Sequence, residues 1–478
     1  MKKVKVILLS MLAMFTMGIA SIQADRPNIV LIMADDLGWK ELGCYGQEKI
    51  ETPHIDQLAA EGMKFMQFYA GSAVCAPTRC NLMTGMHGGN AYIRNNGEIK
   101  TDDPERFGGQ TPIPGSIPTI AKTLKKAGYK TGAFGKWGLG AQGSTGDPLR
   151  QGFDHFYGYN CQRNAHNLYP KYLEDDDSIH ILEGNDRSQT GEQYAPQLIA
   201  DRMLDFVRDN KDKPFFLYFP TVIPHLPLQA PDEALARYAG RWPETPYTGK
   251  SYQPHETPYA CYAAMISFMD DQVGRLMNLL EELDLADDTF ILFTSDNGTT
   301  HLKAQVDYDF FDSVGPLRGL KGQLYEGGIR VPLVARWQGK IKPGTVSNHL
   351  SAHYDIPATL AEVAGTKFDP QSDGISFLPV LTGNRSGQER HEFLMWDFAG
   401  YTGQLAVRMG KWKGIKRGLV KNPDAPMELY DLKADISESK DLAAEHPAIV
   451  KKIQAIIDRE RTVPELEKFR FGNYASAN

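Results

Sequence analysis

From Asn28 to Met33 every position after the first is apolar, and the run stops abruptly at Ala34-Asp35-Asp36. Branched residues without polar alternation predict a strand buried on both faces, with two acids at its carboxyl end. Phe215 to Phe219 and Phe290 to Phe293 repeat the pattern, ending before Pro224-His225 and Ser295-Asp296-Asn297-Gly298. Between these runs apolar positions recur at helical spacing over 55–62, 119–127, 194–209 and 263–285. Strands alternating with helices predict an α/β fold, a large mostly parallel or mixed sheet covered by helices on both faces. In such sheets ligands gather at the carboxyl ends of strands, where these polar clusters stand.

The pattern changes between Gly383 and Arg390. Beyond it Glu392 to Trp396, Leu405 to Arg408, Trp412 to Ile415 and Met427 to Tyr430 are short strand-like runs separated by Gly and Pro turns. A helical segment follows from Pro447 to Glu460, so a small antiparallel sheet with one helix is expected at the C-terminus. The expected organisation is a leader over 1–24, a large α/β domain over 25–385 and a C-terminal subdomain over 386–478.

The leader has Lys2, Lys3 and Lys5 ahead of an apolar run from Val6 to Ile19, then small residues up to Ala24. That is the layout of a cleaved secretory signal peptide, too short in its apolar part to serve as a bilayer anchor. A periplasmic or secreted protein with no membrane anchor is therefore expected. The formal charge of −7 becomes −10 once the leader's three lysines are gone, which argues against nucleic acid as a partner. Five cysteines are too few and odd in number for a disulfide scaffold, and sequence leaves their pairing open; Cys80 reads as packing.

Asp35-Asp36 and Asp296-Asn297 supply hard oxygen ligands just beyond two buried strands. Oxygen-only ligation of this kind favours Ca²⁺ or Mg²⁺. Arg79 lies four residues after Cys75, one turn on if a helix starts near Pro77. Its guanidinium and the helix-terminal amides would then face an anion together. His225 stands between prolines after a buried strand, and 162–169 combines polar and aromatic side chains, His166 among them, suited to a sugar ring.

The stretch Cys75-Ala-Pro-Thr-Arg-Cys-Asn-Leu-Met-Thr-Gly85 resembles the signature of type I sulfatases, enzymes of the alkaline-phosphatase superfamily. Gly135-Lys-Trp-Gly-Leu-Gly140 and Gly319-Leu-Lys-Gly-Gln-Leu-Tyr-Glu-Gly-Gly328 resemble further motifs of that family, in its order along the chain. The resemblance implies hydrolysis of a sulfate ester by a formylglycine made from Cys75 by a maturation enzyme. It implies one Ca²⁺ ion held by Asp35, Asp36, Cys75, Asp296 and Asn297. It implies sulfate binding by Arg79, Lys136 and Lys321, and His225 as the acid that protonates the leaving alcohol. By resemblance the substrate is a sulfated carbohydrate, with galactose or N-acetylgalactosamine 4-sulfate as the expected unit.

Two positions depart from the family pattern. Gly138 replaces a histidine, and Met86-His87 follows Gly85 where Arg or Lys is common. His87 is the candidate to supply part of what Gly138 lacks. A phosphonate or phosphate diester hydrolase and a non-catalytic sulfated-glycan-binding protein are the alternative readings.

Overall fold

The fold is described from a computed structural model that covers residues 26–103 and 105–475. The leader lies outside the described residues. A ten-stranded sheet runs in the order Thr345–Ser347, Met63–Phe65, Leu333–Arg336, Thr289–Ser295, Asn28–Asp35, Phe215–Pro224, Lys130–Lys136, His155–Tyr159, Tyr172–Asp175, Ser178–Ile181. The strands from Thr289–Ser295 through His155–Tyr159 are parallel to one another. Antiparallel neighbours flank this parallel centre on both sides.

The first strand shows why the centre is so apolar. Val30, Ile32 and Ala34 face a core shared with the helices Pro53–Ala60, Ala195–Asp209 and Pro258–Glu282. Ile29, Leu31 and Met33 face a second core, shared with Cys75–Thr84, Ile120–Lys126 and Ile356–Val363. Each fully buried aliphatic side chain contributes about 1.5–3 kcal/mol by leaving water, so neither face of this strand tolerates a polar residue. Polarity therefore begins only where the strand ends, and that is where the site lies.

Helix boundaries follow local chemistry. Thr119 caps Ile120–Lys126 by accepting a hydrogen bond from the Lys122 amide at 3.3 Å. Pro258 and Pro447 open their helices at the position where a missing N–H costs nothing. The strand after Phe215 runs on to Pro224, past the expected end at Phe219, because the Asp35 register brings Pro224 alongside.

The C-terminal subdomain is a four-stranded antiparallel sheet, Leu394–Phe398, Gln404–Met409, Trp412–Arg417 and Glu428–Asp431, backed by the helix Pro447–Glu460. A buried ionic network joins it to the large domain. Lys413 pairs with Glu326 at 2.8 Å and with Glu438 at 2.9 Å, while Arg330 pairs with Glu326 at 2.6 Å. All five cysteines are free thiols. Among the described residues no helix is long and apolar enough to cross a membrane.

Candidate active site

Four parallel strands deliver the polar residues to one place. Asp35 ends the first strand, Asp296-Asn297 follow Thr289–Ser295, Lys136 ends Lys130–Lys136, and His225 follows Phe215–Pro224. Cys75 is the first residue of the helix Cys75–Thr84, all of whose residues are buried. Val74 offers no side-chain cap; instead the Asn96 carboxamide oxygen accepts the Ala76 amide at 3.0 Å. Pro77 has no N–H to satisfy, and the start of this buried helix keeps its positive pole beside Cys75. Gly85 ends the helix in the left-handed region (φ 70°).

The Cys75 Sγ lies 3.4 Å from Asp35 Oδ1, 3.4 Å from Lys136 Nζ and 3.8 Å from Lys321 Nζ. Lys136 pairs with Asp35 at 2.5 Å, and Lys321 pairs with Asp36 at 2.7 Å. Arg79 donates to Asp296 Oδ2 at 2.9 Å and to the Lys136 carbonyl, while its Nε–H is buried without a partner. His225 Nδ1 lies 2.6 Å from the Leu226 carbonyl, which can only accept, so Nδ1 carries the proton. Its Nε2 is the nitrogen turned toward Asp36, at 3.7 Å.

These groups set one another's protonation. Burial alone would raise the Asp35 carboxyl, but Lys136, His225, Arg79 and Lys321 together hold it well below the usual carboxylate range. Burial pushes Asp296 up to about 7, with Asp35 adding and Arg79 opposing. Burial, Lys321 and Lys136 hold His225 well below its ordinary value, so the imidazole is neutral here. Burial works against charge on Lys321, but Asp36, Cys75 and Asp35 outweigh it and keep the ammonium well above its ordinary value.

The donor set fits a hard divalent cation. Asp35, Asp36, Cys75 and His225 present ligand atoms within 4.8 Å of one another, and Asp296 Oδ1 accepts the Asp36 amide beside them at 3.0 Å. Asn297 donates through Nδ2 to Asp36 Oδ1 at 2.7 Å, while its Oδ1 is buried with no hydrogen-bond partner. An orphaned amide oxygen among carboxylates is what oxygen ligation of such an ion requires. Arg79, Lys136 and Lys321 balance the three carboxylates, so a divalent cation leaves the pocket positive and suited to an anion.

The expected site residues thus converge, with one exception. His87 lies beyond the far end of the Cys75–Thr84 helix, and ten residues of helix span about 15 Å. Its backbone N–H donates to Asp373 at 2.9 Å, and its Nδ1 accepts the Gly89 amide at 3.1 Å. The idea that His87 compensates for Gly138 is corrected: both the helix and these bonds hold it away from Cys75. Instead, a Cβ added to Gly138 (φ 84°) would lie 2.9 Å from Gln162 Nε2 and 3.6 Å from Arg79 Cδ. Gln162 is 5% exposed and its Nε2 is buried without a partner. An unspent amide donor therefore occupies the space a side chain at Gly138 would need. Position alone in the 162–169 segment gave no hint of this.

His166 stacks on His225 with ring centroids 4.9 Å apart, and Tyr252 meets His166 edge-on at 5.5 Å. Burial, His225 and Lys136 lower His166 to about 2, which keeps the stacked ring uncharged. Sequence reasoning passed over Tyr252, which stands in a loop with no periodicity.

A family model described as "Sulfatase" matches residues 27–366, nearly the whole of the large domain and every polar group around Cys75. The chain belongs to the sulfatase family. A second model, "N-sulphoglucosamine sulphohydrolase, C-terminal", matches residues 320–462. N-acetylgalactosamine-6-sulfatase from Homo sapiens is 34% identical over 383 residues, 77% of this chain and 68% of that protein. N-acetylgalactosamine-6-O-sulfatase from Bacteroides thetaiotaomicron is 28% identical over 511 residues, 92% of this chain and 94% of that protein. Among solved structures, that of Ps i-CgsB superposes with a TM-score of 0.74 at 28% identity, covering 92% of this chain and 94% of that one. Ps i-CgsB has also been solved in complex with k-i-k-neocarrahexaose. The family's reaction is the hydrolysis of sulfuric esters, and the fold is that of its solved members.

Proposed function

We propose that this exported sulfatase removes a sulfate group from a galactose-type sugar, with Cys75 as the site of the nucleophile and one Ca²⁺ ion in the pocket. The observation that carries the reading is the convergence of Lys136 and Lys321 on Cys75 Sγ, at 3.4 and 3.8 Å, above a floor of carboxylates. Oxidised to formylglycine and hydrated by one water, Cys75 would supply two geminal hydroxyls, one to attack sulfur and one whose collapse to the aldehyde frees sulfate. Asp35, Asp36, Asp296 and Asn297 would hold the cation, which would supply Lewis-acid polarisation of a sulfate ester.

In this reading Lys136, Lys321 and the free Nε–H of Arg79 bind the oxygens of the transferring group, where negative charge builds up. His225 Nε2, bare in the neutral ring, takes up a proton from solvent as the anionic substrate binds and gives it to the leaving sugar oxygen. The lysines that depress its proton affinity are themselves offset once the anionic sulfuryl group lies between them. Asp296, bonded to Arg79 at 2.9 Å, would take the proton of the attacking hydroxyl.

The expectation of a 4-sulfate gives way here to a 6-sulfate. Both curated relatives named above carry 6-sulfatase names, and Cys75 is only 2% exposed at the floor of the pocket. A sulfate on an exocyclic carbon projects farther from the sugar ring and so reaches a recessed floor with less intrusion of the ring. The test is sulfate release from N-acetylgalactosamine 6-sulfate, its 4-sulfate and the corresponding galactose sulfates, with protein co-expressed with a formylglycine-generating enzyme. Release from the 6-sulfate is expected. Release from the 4-sulfate alone would overturn the positional assignment, and turnover of phosphodiesters but no sugar sulfate would overturn the reaction.

A further inference from the structure

The turn between Leu394–Phe398 and Gln404–Met409 is strained and solvent-facing, and it belongs to the C-terminal subdomain rather than to the domain that holds Cys75. Tyr401 and Thr402 lie consecutively in the left-handed region, with φ of 45° and 81°. A bulky and then a β-branched residue are the least suited to that conformation. Burial does not repay it, because Tyr401 is 56% exposed.

The turn is fixed from two sides to segments that touch the active site. On one side Gln404 donates to the Gly322 carbonyl at 2.8 Å and accepts from the Leu324 amide at 3.2 Å, tying the turn to the Lys321 loop. The Tyr401 ring rests on Gly322 so closely that a Cβ there would lie 2.9 Å from the ring. On the other side Gly400 abuts Asn95, to which an added Cβ would come within 2.7 Å. The next residue, Asn96, accepts the Ala76 amide beside Cys75. His301, exposed and near enough to Lys321 and Asp36 to feel both charges, meets the Tyr401 ring edge-on at 5.9 Å and 81°.

We propose that Tyr401, with His301 at its edge, is a stacking subsite for a pyranose ring of the substrate, supplied by the C-terminal subdomain at the rim of the sulfuryl pocket. The proposal rests on the sulfated-sugar reading above. An exposed aromatic face packs against the C–H-rich face of a sugar, and a neighbouring ring nitrogen serves its hydroxyls. Phe398 packs against the Tyr401 ring from the buried side, with centroids 5.9 Å apart, while Asn95, His301 and Lys321 around it are polar, which suits a hydroxyl-rich ring better than an apolar protein surface. The strain then has a purpose: it holds one ring rigidly over Gly322, one residue from a group that binds sulfate.

The experiment compares Tyr401→Asn, which tolerates the left-handed turn, and Tyr401→Phe, which keeps the ring, on the best sugar sulfate of the panel. For Tyr401→Asn, KM is expected to rise roughly three- to tenfold, the size of one ring-stacking contact, with kcat little changed. Tyr401→Phe should keep the wild-type KM. Inhibition by inorganic sulfate, which needs only the sulfuryl pocket, should be the same in all three proteins. An unaltered KM in Tyr401→Asn would overturn the platform and leave the sulfatase reading intact. A sulfate inhibition constant that weakens in step with KM would overturn it too, since the turn would then act on the pocket as a whole. A wild-type protein that releases sulfate from no sugar would sink the reading on which the platform rests.

Discussion

Replacing Lys136 by Met removes one charge from the pocket with little change in side-chain length or volume. The ammonium is buried, 2.5 Å from Asp35 Oδ2 and 3.4 Å from Cys75 Sγ. Loss of one preorganised donor to a developing anion costs about 2.7–4 kcal/mol, or 10²–10³ in kcat. Stability should suffer less than the 3–5 kcal/mol typical of a broken buried pair, because Arg79 remains 3.7 Å from Asp35. Lys136 also lies outside the Cys75–Gly85 segment, so conversion of Cys75 should proceed as in the wild type. The assay is kcat for sulfate release, corrected for the formylglycine fraction found by mass spectrometry of the Cys75 peptide. A corrected kcat within about tenfold of wild type would refute the claim that Lys136 stabilises the transferring group.

Three further outcomes are expected. Chelation of divalent cations should abolish turnover and lower the melting temperature, with Ca²⁺ restoring both; full activity in protein shown to be metal-free would contradict the ligand set. Gly138→Ala places a Cβ 2.9 Å from Gln162 Nε2 on a backbone at φ 84°, a strain of about 1–2 kcal/mol. Its sulfate release should fall more than that of Gln162→Ala, and equal activity of Gly138→Ala and wild type would show the amide free to move. Lys413→Met strips the cation from Glu326 and Glu438. Burial, eased by Lys413, raises Glu438 from 4.5 to about 7, so its protonated form stabilises the fold at low pH and that contribution is lost as pH rises through 7. The variant's melting temperature should therefore fall further below wild type at about pH 8 than at about pH 5; equal drops would refute the network's role.

What could be read in the chain followed from burial. The first strand and its acids were legible because a strand covered on both faces admits no polar residue until it ends. The helix at Pro447–Glu460 was legible from its opening proline and its periodicity. Lys130–Lys136 was harder: Gly132 and Gly135 dilute its apolar signal, and it stood out only as a motif. Leu333–Arg336, four residues after a proline, is too short to show a period. His87 is near Cys75 in sequence but not in space, because the intervening helix carries it to the other end. Gln162 became visible only once Gly138 adopted φ 84° and left room for an amide. Tyr401 owes its place to a turn held by Gln404 and Gly322, contacts between domains that no local pattern encodes.

The most direct test of the account is to measure sulfate release from N-acetylgalactosamine 6-sulfate against the fraction of Cys75 converted to formylglycine. Preparations with and without the maturation enzyme, mixed in known proportion, would supply the range. A rate proportional to the converted fraction, passing through zero and absent in Cys75→Ala, is the predicted result. A rate independent of conversion, or no release from fully converted protein on any sugar sulfate, would contradict it.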